Sequence, residues 1–297
     1  MPQAIRYDRL PTEQRHLRSV DLDRLSPEQL ISLMNREDAR AVRAVTRSRR
    51  QIADAIRLIA HGLRCGGRLL FLGAGTSGRL GVLEAAECPP TFQISPATVQ
   101  AFIAGGRRAV FRPQEGAEDR GADARALVRR RIRSGDVVVG IAASGVTPFV
   151  TAGLAEAAKR GAGTILITCN PRAVSTAHIR IPLSVGPEIL TGSTRLKAGT
   201  ATKLVLNMLT LGVMVRLDKT YGNLMVDVRP TSNKLRARAA RIIQTVAGCS
   251  EHTATRCLHQ ARGRTKIAVL MAARHLSTPA ARRRLSAARG SLRRALQ

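Results

Sequence analysis

The chain has 297 residues, of which 44% are hydrophobic and 23% are charged, and its formal net charge is +29. This length and apolar fraction suffice for one large and one small packed domain, which excludes disorder as a description of the whole chain. No apolar run approaches the roughly 20 residues of a membrane-spanning helix, and the N-terminus lacks the apolar segment of a secretory signal. We therefore expect a cytoplasmic protein without a membrane partner.

The cysteines are odd in number and scattered, with no CxxC pair and no histidine at ligand spacing. This pattern is typical of reduced thiols in a cytoplasm and argues against a disulfide framework or a zinc site. No metal site is predicted.

Residues 27–63 have the spacing of two helices, the second from Ala39 to Leu63. From about residue 50 to 185, short apolar runs alternate with amphipathic stretches, which predicts βαβ units and a parallel sheet. A helix is expected over about 195–216, and then three or four short helices broken near Gly248, Gly263 and Pro279. The predicted strands are 68–72, 99–104, 136–142, 163–168 and 179–183, with crossover helices over about 78–88, 116–132 and 148–160.

The pattern predicts an α/β fold of three layers, with a five-stranded parallel sheet between helices, followed by a small all-helical domain. The predicted domain bounds are 1–230 and 231–297. Residues 231–297 hold 15 Lys and Arg residues against one acid, Glu251, and no aromatic residue lies beyond Tyr221. Because the stacking residues of specific nucleic-acid readers are missing, we expect only non-specific electrostatic attraction of nucleic acid.

A glycine-rich loop, Gly73-Ala74-Gly75-Thr76-Ser77-Gly78, follows the first predicted strand and matches GxGxxG. A dinucleotide site would need an acid near the end of the second strand, and none lies between Phe92 and Gly106. The loop therefore favours an anion site for one phosphate, made by the backbone of Gly75 and by the Thr76 and Ser77 hydroxyls at a helix N-terminus. A tight capped turn remains the alternative.

A second loop of small and hydroxyl residues, Ala142 to Thr147, follows the third strand and precedes Pro148. If the strand order is the flavodoxin-like 2-1-3-4-5, strands one and three are neighbours and both loops face one crevice. We then expect Ser144, Gly145 and Thr147 to bind the same anion.

Charged residues near these loops are further candidates. Glu87 is predicted in the last turn of the first crossover helix, where a carboxylate opposes the helix dipole. Glu118 is predicted near a helix start, which also suits an acid that has no catalytic role. Arg195 and Lys197 stand at the start of another helix, where either an anionic ligand or solvation would account for two cations.

Six segments of the chain form a recognisable set: GAGTSGRLGVLEAAECPPTF (73–92), EGAED (115–119), VVVGIAASGVTPFV (137–150), CNP (169–171), TGSTRLKAGTATKLVLNM (191–208) and YGNLMVDV (221–228). Together they resemble the N-acetylmuramic acid 6-phosphate etherase family, whose members are built on a sugar isomerase (SIS) domain. The likeness extends over nearly the whole chain through TEQRHLRSVDLDRLS (12–26) and TSNKLRARAARI (231–242).

The resemblance implies a SIS-type sheet and cleavage of the ether between D-lactate and C3 of the phosphosugar, in amino sugar catabolism and peptidoglycan recycling. No cofactor is implied. Glu87 would protonate the departing lactyl oxygen and Glu118 would remove the C2 proton. The phosphate would lie on Thr76, Ser77, Ser144 and Thr147, and the implied assembly is a homodimer.

The chain departs from the family pattern at three positions: Val146 replaces the usual Arg, Glu84 replaces Asp and His16 replaces Asn. Loss of the guanidinium at Val146 would weaken phosphate or carboxylate binding or alter a structural contact. Two alternatives remain open: a SIS aldose–ketose isomerase, and a non-catalytic SIS regulator that binds a phosphosugar.

Overall fold

The computed structural model describes residues 6–297, and the central sheet has five strands that pair in parallel throughout. The strands are β1 (Leu69–Gly73), β2 (Val99–Ile103), β3 (Val137–Ile141), β4 (Gly163–Thr168) and β5 (Ile179–Pro182). Their order is β2-β1-β3-β4-β5, which is the predicted flavodoxin-like order, and the predicted fold class is confirmed. The inner strands β1, β3 and β4 are buried and largely apolar, as central parallel strands require, whereas the edge strands β2 and β5 are only partly buried.

Helices precede the sheet in the chain and pack against it, so that the fold has three layers. Within the described residues they are α1 (Pro27–Arg47), α2 (Arg49–Arg64), α3 (Gly75–Phe92), the short α4 (Arg108–Phe111), α5 (Gly121–Arg131), α6 (Pro148–Lys159) and α7 (Lys197–Arg216). By length and composition alone α7 could cross a membrane, but half of its apolar window is buried in the protein, as in a core helix.

Two predicted helix bounds are wrong. The helix expected from Ala39 to Leu63 is divided at Ser48, a buried residue whose hydroxyl donates to the carbonyl of Pro182 at the end of β5. The helix expected to end near Cys88 instead runs to Phe92, with Pro89 and Pro90 inside it.

The chain forms two compact units. The first comprises residues 1–86 and 97–211 and contains the sheet; the second comprises residues 87–96 and 212–297. Val226 and Val228 belong to the buried core of the second unit, which therefore begins before residue 231. The predicted domain boundary at 230 and 231 stays a prediction.

The second unit is helical and has its own apolar core. Ser232, Ser250, Ser277 and Ser291 each accept a hydrogen bond from a backbone N–H in the first turn of a helix, which fixes where four of the helices begin. The described helices number five after residue 231, rather than three or four: α8 (Asn233–Ala247), α9 (Glu251–Gln260), α10 (Thr265–Arg274), α11 (Thr278–Ala287) and α12 (Leu292–Leu296).

Candidate active site

The two loops predicted to converge leave neighbouring strands. Gly73 at the end of β1 is paired with Ile141 at the end of β3, so both loops start at the carboxyl edge of the sheet, side by side. This edge is where ligands bind in open α/β sheets.

The two loops line one pocket of about 370 Å³ in the first unit. Further walls come from the turn that carries Glu118, from the N-terminal segment and from the segment before α7. The lining residues are Tyr7, Leu10, Thr12, Glu13, Ala74, Gly75, Thr76, Ser77, Glu118, Asp119, Ile141, Ala142, Ala143, Ser144, Val146, Thr147, Pro148, Gly192 and Thr194.

Two helices begin at this pocket. Gly75 and Thr76 open α3, and Pro148 opens α6 after Thr147, whose hydroxyl makes no capping hydrogen bond. The first N–H groups of a helix have no intrahelical acceptor and, with the helix dipole, attract anions. The pocket therefore offers backbone donors and free hydroxyl groups to one anionic group.

The pocket is acidic in an otherwise basic chain. Glu13, Glu118 and Asp119 contribute carboxylates, whereas no Lys, Arg or His is among the described residues that line it. An anion bound here would rest on hydroxyl and N–H donors alone among the described lining residues.

Gly145 does not line the pocket. Its φ is +76°, and a Cβ at this position would lie 2.4 Å from the Cβ of Ala173 and 2.8 Å from Oγ1 of Thr168. Its neighbour Ser144 is also held, since Asn170 donates to the Ser144 carbonyl at 3.0 Å. Gly145 is thus required by the close approach of another loop, and the structure does not bring it to a ligand.

Glu118 lies in a one-turn 3₁₀ helix, Ala117–Asp119, just before α5. Ala117 is buried in the same cluster as Val150, which fixes the turn, and the Glu118 side chain is exposed toward the pocket it lines. A carboxylate at the edge of a pocket, accessible to a ligand, can act as a base.

Glu87 belongs to the second unit, in the continuous helix α3, and not to its last turn. The helix dipole, which acts only within the terminal turn, therefore does not oppose the Glu87 carboxylate as predicted. The Glu87 side chain is exposed, and its backbone carbonyl accepts the Thr91 hydroxyl at 2.7 Å.

Lys197 is 1% exposed, and its ammonium group donates to the carboxylate of Glu37. The first N–H groups of α7 donate to Glu188, from Lys197 at 3.3 Å and from Ala198 at 2.9 Å. The anion at this helix start is therefore Glu188 of the protein itself. The expectation that Lys197 binds a ligand is corrected, because it does not line the pocket.

Arg195 precedes α7, is exposed, and lines a separate depression of about 360 Å³ with Thr76 and Lys203. Of the predicted binding residues, Gly75, Thr76, Ser77, Ser144 and Thr147 share the pocket, and Arg195 does not.

Glu84 is buried and paired with Lys203 and Thr210 of α7. It fixes α3 to α7 within the first unit and is not in the pocket.

The N-terminal segment also forms part of the pocket, which was not predicted from the sequence. Tyr7, Leu10, Thr12 and Glu13 line the pocket, and the Thr12 hydroxyl donates to Glu13 at 3.0 Å. The sequence offered one signal, the likeness at residues 12–26, but no chemistry pointed to a wall of the site.

Comparisons with known families agree with this architecture. The SIS domain model matches residues 118–212, that of the glucokinase regulatory protein N-terminal SIS domain matches 51–158, and that of the C-terminal lid domain of glucokinase regulatory protein matches 222–266. Among solved structures, a phosphoheptose isomerase from Francisella tularensis is similar with a TM-score of 0.46 and 14% identity, covering 64% of this chain and 98% of that one.

Full-length relatives are more similar. The N-acetylmuramic acid 6-phosphate etherase of Nostoc sp. (strain PCC 7120) is 52% identical over 290 residues, covering 97% of this chain and 94% of the relative. The protein of the same name from Clostridium beijerinckii is 44% identical over 298 residues, covering 99% of this chain and 98% of the relative.

Proposed function

We propose that this chain, which belongs to the N-acetylmuramic acid 6-phosphate etherase family, cleaves the lactyl ether of N-acetylmuramic acid 6-phosphate with water. The products are N-acetylglucosamine 6-phosphate and D-lactate. The observation that carries the proposal is the pocket in which two hydroxyl-rich helix starts and the Glu118 carboxylate face one cavity.

The phosphate is assigned to the two helix starts. Thr76 and Ser77 of one loop and Ser144 and Thr147 of the other offer hydroxyl groups, and the N–H groups at the start of α3 offer further donors. A charged acceptor strengthens each such hydrogen bond.

Glu118 is assigned the base. The C2 proton of the open-chain sugar lies next to the C1 aldehyde, which makes it acidic. Removal of this proton forms the C2–C3 double bond as the C3–O bond breaks, and the lactyl oxygen leaves with a proton from the acid, assigned to Glu87. Water then adds its oxygen to C3 and its proton to C2, so the net reaction consumes one water.

The remaining assignments follow the family. A homodimer is proposed as the working assembly. The cytoplasm is proposed as the compartment, in keeping with five cysteines, none of which forms a disulfide bond in the part of the chain that the structure describes.

The first prediction is that the wild-type protein releases D-lactate from N-acetylmuramic acid 6-phosphate, measured with a lactate-specific assay. Each substrate molecule is expected to give one molecule of D-lactate and one of N-acetylglucosamine 6-phosphate. Conversion of an aldose phosphate to a ketose phosphate without lactate would indicate an isomerase instead. Binding of the phosphosugar with no turnover would indicate a regulator.

The second prediction concerns Val146→Arg. Val146 lines the pocket that Glu13, Glu118 and Asp119 also line, and the variant places there the cation that the pocket lacks. We expect KM to fall by up to about tenfold, as one charge-assisted hydrogen bond to phosphate would give, with kcat unchanged or higher. Val146→Met, which adds length without charge, is the control. A large loss of kcat in Val146→Arg but not in Val146→Met would show that the pocket has adapted to valine.

A further inference from the structure

The N-terminal wall of the pocket is held by a buried network that the proposed chemistry does not use. Glu37 of α1 is 4% exposed, and its carboxylate contacts His16, Lys197 and Arg40. The His16 Nε2 lies 3.2 Å from Oε1, the Arg40 Nη1 donates to Oε1 at 3.0 Å, and the Lys197 ammonium group donates to Oε2.

Glu37 joins two residues, His16 and Lys197, that each follow a different segment of the pocket wall. His16 closely follows the segment that lines the pocket with Tyr7, Leu10, Thr12 and Glu13. Lys197 closely follows Gly192 and Thr194, which line the pocket from the other segment. Glu37 itself is not among the lining residues.

These two segments also meet each other. A Cβ on Gly192 would lie 3.2 Å from Oε2 of Glu13, so the Glu13 carboxylate packs against the Gly192 backbone. The segments therefore touch at the pocket and are both anchored, behind it, to one carboxylate.

The Glu37 carboxylate is charged, which strengthens its hydrogen bonds to the cations that surround it. Burial alone would raise the pKa of Glu37, but the hydrogen bonds from Lys197 and Arg40 lower it to about 2, so it stays ionised. Removing the partners of such a buried carboxylate strongly lowers the stability of the fold. His16 is 4% exposed and its Nδ1 has no partner among the described residues, so its contact with Glu37 is the polar interaction that holds its ring.

We propose that Glu37 is a positioning residue that holds residues 7–16 and 192–197 together as one wall of the phosphosugar pocket. Loss of the anchor lets the N-terminal segment open, and affinity falls by the fraction of molecules that remain closed. The effect on ligand affinity rests on the proposed function; the effect on the segment itself does not.

The test compares Glu37→Gln with Asp136→Asn. Asp136 is a matched control, since it is fully buried and paired with Arg68, but at the amino ends of the strands, away from the pocket. Both variants should lower Tm. Only Glu37→Gln should raise KM, by about tenfold or more with kcat nearly unchanged, and only it should speed tryptic cleavage after Arg9 and Arg15, by about tenfold.

A second pair of variants guards against misfolding of Glu37→Gln. His16→Ala removes the contact from one side, whereas His16→Gln places an amide N–H where the His16 Nε2 lies. We expect faster cleavage and higher KM in His16→Ala and a return to within about threefold of wild type in His16→Gln. In the Glu37→Gln background, His16→Ala should add little further effect, because both changes break the same contact.

The outcomes separate the two proposals. Unchanged cleavage and KM in both Glu37→Gln and His16→Ala would overturn the positioning role, as would equal effects in Asp136→Asn. If the wild type releases no lactate but Glu37→Gln and His16→Ala are still cleaved faster than wild type and Asp136→Asn, the positioning role stands and the proposed function fails.

Discussion

Glu118→Gln is expected to lower kcat for lactate release by about 10²–10⁴-fold, the usual contribution of one general base. Glutamine keeps the size of the side chain and its place at the pocket edge but cannot accept the C2 proton. Because the phosphate donors belong to other loops, binding of N-acetylglucosamine 6-phosphate should stay within about threefold of wild type.

The base can be tested apart from ether cleavage. In D₂O the wild type should exchange the C2 proton of N-acetylglucosamine 6-phosphate for deuterium, and Glu118→Gln should lose this exchange, as followed by NMR. Glu115→Gln is the control, since Glu115 is exposed in the same loop and does not line the pocket.

Asp119 is the competing candidate, since it also lines the pocket. If Asp119→Asn abolishes exchange and Glu118→Gln does not, the base is Asp119. If neither variant affects exchange, the pocket described here is not where C2 is deprotonated.

The sheet and its two loops could be predicted because the evidence for them is local. Buried parallel strands are continuous apolar runs, as at Val137–Ile141, and the crossovers between them have helical periodicity. The predicted strand order places the loops after β1 and β3 side by side, and Thr76 and Thr147 of these loops line one pocket.

The errors arose where a distant contact decides the local structure. Lys197 looked like a free cation at a helix start, but its partner Glu37 is 160 residues away in the chain. The division of the N-terminal helices at Ser48 depends on the carbonyl of Pro182. No local pattern encodes either contact, nor the packing of Glu13 against Gly192.

The helix end predicted next to Glu87 is wrong for a different reason. Two consecutive prolines predicted a helix end, because neither can donate an N–H and the first clashes with the carbonyl four residues earlier. The helix nevertheless continues to Phe92, and Gln93 N donates to the Pro89 carbonyl at 3.0 Å. The catalytic assignment of Glu87 therefore rests on the ECPPT resemblance and needs its own test.

Glu87→Gln is expected to lower lactate release by about 10²–10⁴-fold, because the lactyl oxygen is a poor leaving group unless it is protonated as it departs. The C2 exchange of N-acetylglucosamine 6-phosphate in D₂O should persist, since it requires the base alone. The two variants would then separate the two steps: Glu118→Gln loses both activities, and Glu87→Gln loses only ether cleavage.

An activated substrate tests the acid directly. A C3 aryl ether of N-acetylglucosamine 6-phosphate leaves as a phenolate that needs little protonation, so Glu87→Gln should cleave it within about tenfold of wild type, whereas Glu118→Gln should not. Glu251→Gln, an exposed acid of the same unit, should match wild type with both substrates. Equal losses with the lactyl and aryl ethers in Glu87→Gln would mean that Glu87 does not protonate the leaving group, because an acid matters in proportion to the basicity of the oxygen it serves.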